Sequence, residues 1–73
     1  MSKTYKRYTP EEDLFIARLI AEGKTVKEIA AQLNIDARAV ENRLKGMRKK
    51  EEALSTTHMI VKLVLGRRIF PNL

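Results

Sequence analysis

The chain has no cysteine and no tryptophan, one histidine, two serines, two prolines and three glycines in 73 residues. Without cysteine there is no disulfide, no thiolate metal site and no thiol nucleophile, and a reducing compartment is the simpler expectation. The lone His58 has no partner at nucleophile or ligand spacing, so it is expected to be a solvated side chain rather than a catalytic base. With so few glycines there is no Gly-rich phosphate loop. The longest apolar run, "MIVKLVL", is broken by Lys62 and falls far short of the roughly 20 residues that cross a bilayer. No Arg/Ser-rich leader or secretory segment opens the chain, so a cytoplasmic location is expected. We therefore expect no enzyme, with no catalytic residue, metal, cofactor, small-molecule substrate or membrane partner.

What is abundant is positive charge. Fifteen Lys and Arg against nine acids give a net charge of +6, unevenly distributed. Residues 1–8 carry +3, residues 9–35 carry −2, residues 36–50 carry +4 and residues 51–73 carry +1. Solubility alone would intersperse the signs, so a concentrated basic segment points to a polyanion or an acidic protein surface. A chain this short buries only about 60% of its unfolded surface, which leaves helix packing and good caps to hold it together.

Three helices in a row are legible. "YTPEEDLFIARLIAEG" has Thr9 as N-cap, Pro10 at the first helical position and Glu12 placed to close a capping box, giving a helix over about 10–22 that ends at Gly23. Ile16, Leu19 and Ile20, with Phe15 beside them, form its inward stripe, and Leu14 falls outside it. Glu11, Glu12 and Asp13 are adjacent rather than convergent, and the helix dipole accounts for them. "TVKEIAAQLN" repeats the logic over 26–33: Thr25 caps, Glu28 returns the bond, Val26, Ile29, Ala30 and Leu33 face inward, and Asn34 suits the closing left-handed position. Asp36 caps a third helix over 37–53 whose apolar positions are Ala37, Val40, Leu44, Met47 and Leu54. The expected fold is all-α: a three-helix helix-turn-helix domain over 9–54, preceded by a basic arm (1–8) and followed by a short C-terminal extension (55–73), a fourth helix or a flexible tail.

On a helical wheel with Arg38 at zero, Val40, Leu44 and Met47 lie at about 180–240°, whereas Arg38, Asn42, Lys45 and Lys49 share an arc of about 60° on the far side. Arg43 and Lys50 flank that stripe, Arg48 adds to the basic run, and Glu41 lies near the other edge. Arg reads guanine bidentately, Asn reads adenine and Lys holds phosphate, so the stripe suits double-stranded DNA with the helix in the major groove. Lys6 and Arg7 in the N-terminal arm are candidates for further backbone contacts.

The segments "YTPEED", "GKTVKEIAAQL" and "AVENRL" resemble the Myb/SANT-like, homeodomain-like tri-helical family over residues 8–50. Tyr8, Val26 and Leu44 stand at the 18-residue spacing where that family has tryptophans. The resemblance implies a base-contacting role for Asn42; Glu41 stands where the family has Lys. The length and basic character also resemble small bacteriophage-encoded transcription regulators, in particular those of Xanthomonas-infecting phages. That resemblance implies binding to bacterial RNA polymerase in the host cytoplasm, with inhibition of initiation or antitermination as the output. Two readings thus stand: a regulator acting on RNA polymerase, which Glu41 on the reading face and the small size favour, and as the alternative a DNA-binding repressor using the third helix, which the basic stripe and Asn42 favour.

The tail "ALSTTHMIVKLVLGRRIFPNL" admits three readings: a packed fourth helix with Ile60, Leu63 and Val64 inward and Gly66 at its end, a homodimer segment over 57–70, or a disordered tail. Arg67, Arg68 and Phe70 are candidate partner contacts, and "GRRIFPNL" is expected to be loose at its end.

Overall fold

The computed structural model describes residues 10–72, and among them every regular element is helical: α1 (Pro10–Ala21), α2 (Val26–Leu33), α3 (Ala37–Lys50) and α4 (Thr56–Leu65). The all-α helix-turn-helix architecture expected from the pattern is the one observed, with the extension forming a fourth helix. Thr9, the expected first N-cap, lies outside the described residues.

Local chemistry sets the helix starts. The Thr25 hydroxyl accepts from Glu28 N–H at 3.1 Å, and the Glu28 carboxylate accepts from Thr25 N–H at 2.8 Å, completing a capping box. Ser55 caps α4 by accepting from His58 N–H at 3.0 Å. Asp36 occupies the N-cap position of α3 with no side-chain capping bond.

The four helices stop by one device. The N–H of Lys24, Ile35, Ala53 and Arg68 reaches back to the carbonyl of Leu19, Ala30, Arg48 and Leu63, at 3.0, 2.9, 2.9 and 2.9 Å. Each reversal needs a left-handed residue, supplied by Gly23 (φ 94°), Asn34 (58°), Glu52 (56°) and Arg67 (58°). Two expectations shift as a result. The third helix ends at Lys50 rather than 53, because the chain reverses at Glu52, and Leu54 is left 91% exposed. At the end of α4 the left-handed residue is Arg67, whereas Gly66 has φ −82°.

Ile16, Ala17 and Leu19 of α1, Ile29 and Ala30 of α2, and Val40, Leu44 and Met47 of α3 are buried together. Met59 and Leu63 of α4 and Ile69 beyond it complete the core. α4 therefore faces inward with Met59 and Leu63, while Ile60 and Val64 are only half-buried. Phe15, expected at the inward stripe, is 43% exposed, and Leu14, expected outside it, is half-buried against the core. The segment after α4 packs back as far as Phe70: Ile69 is buried, and the Arg18 guanidinium lies 5.3 Å from the centre of the Phe70 ring. A cation over an aromatic face stabilises by about 0.5–1 kcal/mol at an exposed site.

Candidate nucleic-acid interface

α3 carries two faces. Val40, Leu44 and Met47 are buried against α1, α2 and α4. Arg38, Glu41, Asn42, Lys45, Gly46, Lys49 and Lys50 are exposed. Among the described residues, none of Arg38, Glu41, Asn42, Lys45, Lys49 and Lys50 has its side chain in a hydrogen bond or ion pair. The stripe expected from the wheel is thus physically assembled, with four unpaired cations, one unpaired acid and an amide on one surface.

Two of the basic residues expected with them belong elsewhere. Arg43 is buried, with its side chain 6% exposed. Its Nε donates to Asp13 Oδ1 at 3.1 Å and its Nη2 to Glu12 Oε1 at 3.2 Å, bridging α3 to the first turn of α1. Burial of a guanidinium is tolerable only when charge and donors are matched, and the two carboxylates do that. This corrects both the placement of Arg43 on the flank of the stripe and the account of Glu12 and Asp13 as helix-end charges alone. Arg48 is half-buried, and its Nη1 donates to Thr56 Oγ1 at 2.8 Å, tying the end of α3 to the start of α4. Neither side chain is offered to a partner in this conformation. Lys6 and Arg7 lie outside the described residues.

The joint between α3 and α4 engages further charges. The Glu51 carbonyl accepts from Lys62 Nζ, and the Glu51 carboxylate pairs with Arg68 Nη1 at 2.7 Å. His58 Nδ1 accepts from Leu54 N–H at 3.0 Å, so the histidine holds the interhelix turn. Arg68, considered as a partner contact, is engaged at this joint. In α2, the hydrogen bond from the Thr25 backbone N–H holds the Glu28 carboxyl below its ordinary 4.5, against an opposing effect of desolvation.

Gly46 sits in the second half of α3, exposed, and a methyl group built there would meet no other element within 4 Å among the described residues. An interior helical glycine costs about 1 kcal/mol relative to alanine, so its presence on this face calls for a reason. It helps to line a hollow between α1 and α3, of about 170 Å³, together with Asp13, Asn42, Arg43, Met47 and Lys50.

Among the described residues there is no group of His, Cys, Asp and Glu that could hold a metal ion. No described helix is long and apolar enough to cross a membrane. Three helices with α2 and α3 joined by a tight turn, and a charged outer face on the second of that pair, define a helix-turn-helix domain. Residues 11–63, well over half of the chain, match the family of bacterial regulatory proteins of the luxR type. The match runs from α1 into α4, and the chain belongs to this family. Of the Myb/SANT-like resemblance, the match supports the helix-turn-helix fold and no more. No curated protein matches the chain, and no solved structure does.

Proposed function

We propose that this domain is a transcription regulator that binds double-stranded DNA with α3 in the major groove. The observation that carries the reading is the unpaired basic face of α3, on the second helix of the helix-turn-helix of a luxR-family domain. Arg38 and Asn42 lie in the first two turns, where a recognition helix meets base edges, and suit guanine and adenine respectively. The Myb/SANT-like spacing of "AVENRL" supports the same role for Asn42. Lys45, Lys49 and Lys50 supply phosphate contacts, which fix register rather than sequence. Lys6 and Arg7 would extend the contact if the N-terminal arm reaches the duplex.

The test is fluorescence anisotropy of a labelled mixed-sequence duplex titrated at about 50 and 200 mM salt. Several phosphate contacts predict binding at low salt and a loss of orders of magnitude at high salt. No binding at low salt sinks the reading. That outcome would favour the second one, in which the basic surface engages an acidic face of bacterial RNA polymerase to inhibit initiation or to permit antitermination. Glu41 is the observation on that side, since an unpaired acid on the same face repels phosphate. Pull-down with purified polymerase would then be the next experiment. A homodimer through residues 57–70 would join Val61 and Leu65, which are 47% and 77% exposed. Sedimentation equilibrium over a hundredfold concentration range checks it, and a constant monomer mass excludes it.

A further inference from the structure

Among the described residues, nothing in the chain's own turns or packing calls for a glycine at position 46. Its φ is not positive, unlike that of Gly23, so no backbone turn demands it. Among the described residues, no other element approaches the place of its missing Cβ within 4 Å, so no described neighbouring helix demands it either. An isolated glycine inside a helix is tolerated at a cost of about 1 kcal/mol, and no described neighbour packs on this one to offset it. The remaining physical use of a missing side chain is the close approach of something from outside.

The surroundings say what that something is. Gly46 is one turn from Asn42 on one side and from Lys49 and Lys50 on the other, all exposed and unpaired among the described residues. The hollow beside it, about 170 Å³, is lined also by Asn42, Lys50 and the Arg43–Asp13 pair. An exposed stretch of helix without a side chain, beside the Asn42 amide and the Lys50 cation and one turn from Lys49, fits a polyanionic ribbon lying along the helix. We propose that Gly46 is a positioning residue: the point where α3 seats directly against the sugar–phosphate backbone of duplex DNA. The inference rests on the DNA-binding reading and adds the contact that sets the depth of α3 in the groove. A side chain at 46 stands the helix off the strand, stretching the Lys50 and Asn42 contacts together.

The experiment is a substitution series, Gly46→Ala, Gly46→Leu and Gly46→Lys, read by thermal melting and by anisotropy on one duplex at low salt. Gly46→Ala is expected to melt about 4 °C or more above the wild type, because the helix gains a better former in open space. The same variant is expected to bind DNA about tenfold more weakly, and Gly46→Leu more weakly still. Gly46→Lys is expected to bind more weakly than the wild type despite its added charge. A purely structural glycine would not separate stability from affinity in this way. Wild-type affinity in Gly46→Ala, or tighter binding in Gly46→Lys, overturns the proposal while leaving the DNA reading intact. Failure of the wild type itself to bind duplex at low salt overturns that reading and this inference with it.

Discussion

Arg38 and Arg43 are the same residue type on the same helix, five positions apart, and the fold gives them opposite situations. Arg38 stands exposed with no partner among the described residues, and Arg43 is buried between Glu12 and Asp13. The difference lies in which side of α3 passes the first turn of α1. A basic residue there becomes part of the framework; one on the far side remains available to a partner. The net charge of the sequence is therefore a poor guide to the charge on offer, since Arg43, Arg48, Lys62 and Arg68 all have internal partners.

The largest effect that can test this contrast is Arg43→Ala. It removes charged hydrogen bonds from a buried position, partly offset because Asp13 and Glu12 keep access to water. We expect a loss of about 2 kcal/mol, or roughly 10 °C in Tm for a domain of this size. Chemical denaturation checks it, and the folded variant should bind DNA nearly as the wild type does. Unchanged stability with lost DNA binding would place Arg43 on the outside after all.

Arg38→Ala is the mirror image. Stability should stay within about 0.5 kcal/mol, while binding to a preferred site weakens by about 1–3 kcal/mol and selectivity at one base pair relaxes. Competition with single-base variants of the selected site measures both. Lys49→Ala should act more gently, weakening all sequences alike and reducing the salt slope by about one. A sequence-dependent loss there would reassign Lys49 to base reading.

Glu52→Gly probes the end of α3 itself. Glycine tolerates the left-handed conformation that Glu52 adopts at φ 56°, so the change should stabilise by about 1 kcal/mol. An unchanged denaturation midpoint would mean that the helix does not reverse at this residue. The smallest effect concerns a carboxylate with purely local bonds. Glu28 titrates lower in the folded chain than its ordinary 4.5, so its capping contribution is present above that pH. It is lost as pH falls through the lower folded-state value. The stability difference between wild type and Glu28→Gln should therefore shrink on acidification across that window; a difference independent of pH would remove Glu28 from the box.

How much could be read beforehand follows the same division between local and distant causes. The starts and stops of α1 and α2 were legible because Pro10, Thr25, Glu28, Gly23 and Asn34 act within a few residues. The stripe of Arg38, Asn42, Lys45 and Lys49 was legible because helical periodicity alone places it. Arg43 was misplaced because its partners lie thirty and thirty-one residues away, and a helical wheel shows direction without showing neighbours. α4 is ambiguous in sequence because a short apolar run suits a packed helix, a dimer segment and a tail that orders on a partner alike. Its helical state is decided by Met59 and Leu63 closing the open side of a core built by the other three helices. The burial of Ile69 had no signal at all, since it follows the helix and obeys no period. Gly46 was visible as a letter, but its interest arises only once the space around it is known to be empty.

The Arg43 bridge also bears on the heat of binding. With α3 already clamped to α1 and sealed by α4, seating it on a partner orders little backbone. Calorimetry should then find a heat-capacity change in proportion to the apolar surface covered, without the surplus that accompanies folding on contact. In Arg43→Ala, where the clamp is gone, that surplus should emerge, so a single arginine that never meets the partner would alter the temperature dependence with which the partner is held.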